Sequence, residues 1–286
     1  MQSLDKSLEE LMNSTMFKVN SDFNKNFKQI EKEITKLLRY LSKLFKKYKY
    51  FNDDDRTRLI NQDIISERFV SNSIFTINSL AEKYSIFLKG SLDENFKNTV
   101  KKATIAFNAV LNRISEISFN EFEEFMVLNN TTYGYDPLIN IPIRSNDFVN
   151  DIQVILQNSI IENKSFDELK KQVMKRSSLF RHFILQGAWS EHSRVVNTSL
   201  LIMYDKLGIE KVQWLDATEQ IDVFNNNSYL TMVCDKCRDL ATGGKYGDGI
   251  YELTMFNIKK DPSLYNADFL IIPAHPKCRC IVVPVI

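Results

Sequence analysis

Between Phe23 and Tyr48 the apolar residues Phe23, Phe27, Ile30, Ile34, Leu37, Leu41, Leu44 and Tyr48 fall alternately four and three positions apart. Only an α-helix gathers such positions into one stripe, and strict four-three alternation is the seam of helices crossing at a shallow angle. The positions between them are rich in Lys, and Asn52, Asp53, Asp54 and Asp55 then stop the helix and offer N-caps to the next. A second seam follows the same spacing through Phe96, Val100, Ala103, Phe107, Val110, Ile114 and Ile117. Residues 58–88 carry a broader apolar face through Leu59, Ile60, Ile64, Ile65, Phe69, Ile74, Ile77, Leu80, Ala81, Tyr84 and Phe87, and read as further helix. Scarce glycine, 8 residues against 20 Phe, suits long helices. Residues 1–128 are therefore expected to form a helical arm, hairpin or bundle; the same seams would also serve self-association as a coiled coil or docking on a partner helix.

Residues 129–147 hold Gly134, Pro137 and Pro142 among Asn and Thr, which predicts a linker or long loop and a domain boundary. Helix is expected to resume from about Phe148 to Glu162, and Ser165 with Glu168 has the spacing of a capping box opening another helix at Phe166. A longer helix is predicted over Leu179 to Lys206, with Gly208 as its C-terminal stop. The period then changes: residues 211–216 alternate like a strand, and the β-branched run 279–285 is suited to pair with them. The expected fold is mainly α, with long N-terminal helices and a small α+β domain within 148–286.

Zinc enters through the cysteines. All four lie in the last 53 residues, as Cys234-x-x-Cys237 and Cys278-x-Cys280, whereas a secreted disulfide scaffold spreads its cysteines along the chain. His275 stands three residues before Cys278. Thiolate and imidazole are the ligands tetrahedral zinc prefers, and a two-residue gap lets both sulfurs of a knuckle reach one ion. Residues 234–280 are thus predicted to hold one structural Zn2+ ion. Five ligands, Cys234, Cys237, His275, Cys278 and Cys280, are offered for four positions. Cys278 and Cys280 point the same way on a strand, so either completes the set and the other is a buried thiol. The glycines at 243, 244, 247 and 249 lie between the half-sites, but Gly244-Lys245 is followed by Tyr246 and not Ser or Thr. A tight surface turn is expected there, not a phosphate cradle.

Other classes are weighed on charge and histidine. The formal charge of +1 gives no global attraction for a polyanion. Locally, residues 1–50 hold 11 Lys or Arg against 6 Asp or Glu, with Lys43, Lys46, Lys47 and Lys49 set around Tyr48 and Tyr50. Such a patch suits phosphates and unpaired bases, and equally suits a solvated helix C-terminus. A zinc-ribbon-like nucleic-acid-binding protein is the alternative function. The first residues lack the cationic and apolar run of a secretory signal, and no stretch has 18 uninterrupted apolar residues, so a protein made in the cytoplasm without a membrane span is expected. The histidines are His182, His192 and His275. With His275 used as a ligand none is left beside the metal, the sulfur-rich set has no open position, and Glu191 with Arg194 reads as an intrahelical ion pair. No catalytic activity is expected.

The closing run His275-Pro276-Lys277-Cys278-Arg279-Cys280, followed by Val-Val-Pro, resembles the terminal motif of Mu F-like phage head-morphogenesis proteins. Ala188, Trp189, Ser190, Glu191, Arg194 and Asn197 look like a divergent form of that family's helix, with Trp189 in place of its Arg and Ser190 in place of its Thr. Tyr204, Gly208, the strand Lys211 to Trp214, Asp216, the Cys-x-x-Cys and Leu240 follow in the family's order. The resemblance covers about residues 150–286. It implies a minor head (minor capsid) protein of a tailed phage virion, assembled in the host cytoplasm and placed at the portal vertex or capsid interior. The implied partners are the portal and major capsid proteins, and in some members the viral DNA with which the protein is ejected.

Overall fold

The computed structural model describes residues 2–47, 68–111, 137–216, 234–256, 270, 274, 278 and 280–285. Four long helices come first: α1 (Gln2–Lys47), α2 (Arg68–Leu111), α3 (Pro137–Ile161) and α4 (Phe166–Lys206). Strand β1 (Lys211–Leu215), the short helix α5 (Asp235–Thr242), β2 (Ile250–Glu252), a 3-10 turn (Leu253–Phe256) and β3 (Ile281–Pro284) follow. Mainly helical architecture with a small C-terminal antiparallel sheet is what the sequence predicts. Among the described residues no helix is long and apolar enough to cross a membrane.

Three helical expectations change in extent. Residues 137–147, expected in the linker, belong to α3, and residues 129–136 lie outside the described part. Pro137 opens the helix, where a missing N–H costs nothing, and Pro142 forfeits one bond early in it. Burial of Ile141, Ser145, Phe148, Val149, Ile152, Leu156 and Ile160 along one face offsets that loss. The stretches expected over 58–88 and 96–117 include one helix, α2, running through Gly90; residues 58–67 and 112–117 lie outside the described residues, as do Tyr48 and the Asn52 to Asp55 stop. The two helices expected from Phe166 and from Leu179 are the single α4.

The contacts gather the chain into two compact units, each drawing on several stretches of sequence. One comprises Ser21–Lys89 and Asp136–Leu185. The first seam is its spine: Phe23, Phe27, Ile30, Ile34, Leu37 and Leu41 are all buried. Phe180 stacks on Phe148 with ring centroids 4.8 Å apart and tilts against Phe27 at 5.8 Å. Arg181 donates to Asn24 Oδ1 at 2.7 Å and lies over the Phe23 ring, its cation over the aromatic face. Ser165 caps α4 as predicted: Glu168 N donates to Ser165 Oγ at 3.3 Å while Ser165 N donates to Glu168 Oε2 at 2.9 Å.

The other unit comprises Met1–Asn20, Gly90–Tyr135 and Gln186–Ile286. Every residue of α4 from Glu191 to Tyr204 is buried here. Leu8, Leu11, Met12 and Met16 of α1, Val196, Leu200 and Met203 of α4, and Val212, Trp214, Ile281 and Val283 of the sheet share one core. Gly208, at φ +70°, ends α4: its N–H reaches Asp205 O at 3.0 Å and that of Ile209 reaches Tyr204 O at 2.9 Å. This pair of bonds satisfies the last carbonyls and turns the chain into β1. The sheet order is β2-β1-β3, all antiparallel, with Trp214 opposite Val282 and Leu215 opposite Ile281.

Candidate metal centre

β3 is an edge strand, and an edge leaves amides and carbonyls in need of partners. Two side chains of α4 supply them. Asn197 Nδ2 donates to Cys280 O at 3.1 Å, Asn197 Oδ1 accepts from Val282 N at 3.1 Å, and the Tyr204 hydroxyl donates to Val282 O at 2.9 Å. Asn197 and Tyr204 are seven residues apart, two helical turns, so they meet the strand on one face. This clamp fixes the backbone that carries Cys280.

On the opposite side of the site, α5 brings Cys237. Cys234 is its N-cap residue, and Cys234 Sγ accepts the Cys237 N–H at 3.3 Å. The glycine-rich run then returns the chain to the sheet as the surface turn the sequence predicts. Gly249, at φ +71°, passes so close that a Cβ would lie 2.6 Å from Ala241 O and 2.9 Å from Trp214 O. Its own carbonyl accepts from Trp214 N at 2.8 Å, and the Tyr251 hydroxyl donates to Leu240 O at 2.8 Å. These bonds tie α5 to β1 and β2. Lys245 in the same turn pairs with Glu252 at 2.6 Å.

The result is a cluster of three buried sulfurs. Cys237, Cys278 and Cys280 have their Sγ atoms all within 4.8 Å of one another, and Cys237 lies 3.7 Å from Cys278. At a Zn–S distance of about 2.3 Å, the edge of a regular tetrahedron is about 3.8 Å, so the Cys237–Cys278 separation is one a shared ion would set. Hydrogen bonding with Cys278, then with Cys280, and burial push the Cys237 thiol far up. At Cys280 a hydrogen bond with Cys237 favours the thiolate, but that with Cys278 together with burial outweighs it and the thiol is raised. Three such groups do not ionise side by side without a compensating cation, which a divalent metal supplies. The indole N–H of Trp214 is a further sign of fit, since it is fully buried with no acceptor in good hydrogen-bonding geometry and lies by the Cys280 sulfur, where it favours the thiolate.

Of the five predicted ligands, Cys237, Cys278 and Cys280 are brought together. Cys278 and Cys280 both lie within 4.8 Å of Cys237, so either or both are placed to share an ion with it. Cys234 stands beside them, exposed, at the α5 N-cap, and His275 lies outside the described residues. This is a candidate metal site consistent with one zinc. Sequence reasoning missed the clamp from Asn197 and Tyr204 and the orphan donor on Trp214. The seven-residue spacing of the first pair was a signal for it; nothing local marked the second.

The remaining candidates are structural in setting. Glu191 and Arg194 form the expected intrahelical ion pair, with both side chains buried and Arg194 Nε donating to Glu191 Oε2 at 3.1 Å. His192 is fully enclosed. Its Nδ1 lies 2.8 Å from the Ala188 carbonyl, which only accepts, so Nδ1 carries the proton and Nε2 accepts from Ser91 Oγ at 3.2 Å. His182 is exposed. Compared with protein-family models, curated proteins and solved structures, the chain finds no match in any of the three.

Proposed function

We propose that this chain is a minor head protein of a tailed phage, related to the Mu F-like head-morphogenesis proteins, whose C-terminal module is stapled by one structural zinc. The observation that carries the reading is the convergence of the closing Cys278-x-Cys280 pair on Cys237 of the Cys-x-x-Cys, since these belong to the motifs that bear the resemblance. The order of elements supports it as well: a buried helix with Glu191, Arg194 and Asn197, a Gly208 stop, a strand ending near Trp214, then the knuckle. Cys237, Cys278 and Cys280 supply three ligands, and Cys234 or His275 supplies the fourth. A closed, sulfur-rich zinc stabilises a module whose own sheet is too small to fold on packing alone.

The role is structural and not catalytic. With Cys234 or His275 as fourth ligand the set is filled by protein atoms and leaves no position for water, and His192 has both ring nitrogens engaged. The test is assembly. A tagged chain produced in cells that build the cognate procapsid is expected to sediment with particles containing portal and major capsid protein. Sedimentation only as free protein, together with tight nucleic-acid binding that weakens steeply with salt, would replace this reading with the zinc-ribbon alternative.

A further inference from the structure

Trp214 is one of two tryptophans, and the two differ in how the indole N–H is satisfied. Trp189 Nε1 donates to Asn20 Oδ1 at 2.9 Å. Trp214 Nε1 is buried with no acceptor in good hydrogen-bonding geometry, which ordinarily costs stability, yet it lies close enough to the Cys280 sulfur to favour the thiolate there. The sheet register says what lies nearby. Trp214 is paired with Val282, whose N–H and carbonyl both turn away to α4, so the pair is of the close, non-hydrogen-bonded kind with both side chains on one face. Cys280 is two residues before Val282 and shares that face, making it the diagonal neighbour of Trp214 and within reach of a long aromatic side chain. Trp214, Cys237, Cys278 and Cys280 belong to one buried cluster.

We infer that Trp214 is a positioning residue of the metal centre, its indole N–H donating to the metal-bound thiolate of Cys280. A metal-bound sulfur is a better acceptor than a neutral thiol, so the buried donor placed diagonally across from Cys280 gains its full partner when an ion is held there. The N–H then delocalises charge from that sulfur and fixes its direction, as outer partners of metal ligands do. The inference rests on the metal-site reading above.

The test uses the full-length wild-type chain, metal-free and then loaded with zinc or cadmium-113, with 15N-labelled tryptophan. Two indole N–H resonances are expected, assigned by the one lost in Trp214→Phe. On metal binding the Trp214 proton should move downfield and show scalar coupling to cadmium, while the Trp189 proton, already bonded to Asn20, stays in place. Trp214→Phe should still bind one ion, about tenfold more weakly. One ion bound with an unmoved Trp214 resonance would overturn the inference and leave the metal reading standing. No ion bound by wild type would overturn the metal reading and, with it, the acceptor the inference requires. Should Trp214→Phe fail to fold, the resonance lost in Trp189→Phe, which leaves Trp214 and the cysteines unchanged, makes the same assignment.

Discussion

His192 shows what enclosure does to a single side chain. Desolvation holds its pKa down to about 4, with the hydrogen bond that Nδ1 donates to the Ala188 carbonyl opposing and the Lys18 charge assisting. Lys18 is itself paired with Glu94 at 2.9 Å, and Lys102 lines the same cavity as the imidazole. A histidine depressed in the folded state favours the unfolded chain once the latter takes up its proton. The stability this neutral group contributes is present above about pH 6.5 and is lost as pH falls toward 4. Unfolding by urea should therefore show wild type losing about 2 kcal/mol more between pH 7 and pH 5 than His192→Gln does. Equal pH slopes for the two proteins would show that the imidazole is not held neutral. The burial was not legible from three histidines in a sequence. Only the continuous enclosure of α4 from Glu191 to Tyr204 reveals it, because a polar-looking helix gives no hydrophobic stripe to read.

At the scale of elements, local chemistry was legible wherever it acts within a few residues. The Ser165–Glu168 box, the Gly208 stop and the strands near 211–216 and 279–285 were all foreseen from short patterns. Punctuation by Pro misled, because a buried face outweighs it: α3 continues through Pro142, and α2 likewise runs through Gly90. The third strand, β2, was not foreseen, being three residues long with Ile250 and Glu252 flanking a single buried Tyr251. A Cβ at Gly90 would meet nothing within 4 Å. Gly90→Ala should accordingly stabilise the fold by about 0.5–1 kcal/mol, by removing backbone freedom from the unfolded chain and adding helix propensity. Chemical denaturation reads this as a raised midpoint at unchanged slope. A lowered midpoint would mean that α2 does not run straight through this residue.

For the whole molecule, the sequence made the mainly helical fold legible through its two heptad seams, and the C-terminal sheet through a change of period. It showed which cysteines were eligible but not which meet, because the meeting is made by long-range contacts. Asn197 and Tyr204 hold the strand that carries Cys280, and Gly249 lets α5 approach β1. Three thiols packed this closely have a physical rationale if a metal joins them, and the family resemblance leans on the same residues. The most direct measurement is therefore the metal content of the purified native chain by elemental analysis, with a thiol assay before and after chelation. About one zinc per chain is expected, with Cys237, Cys278 and Cys280 unreactive until the chelator removes it and a lowered thermal midpoint afterwards. A metal-free chain whose thiols react at once in the folded state, or are found as disulfides, would contradict it.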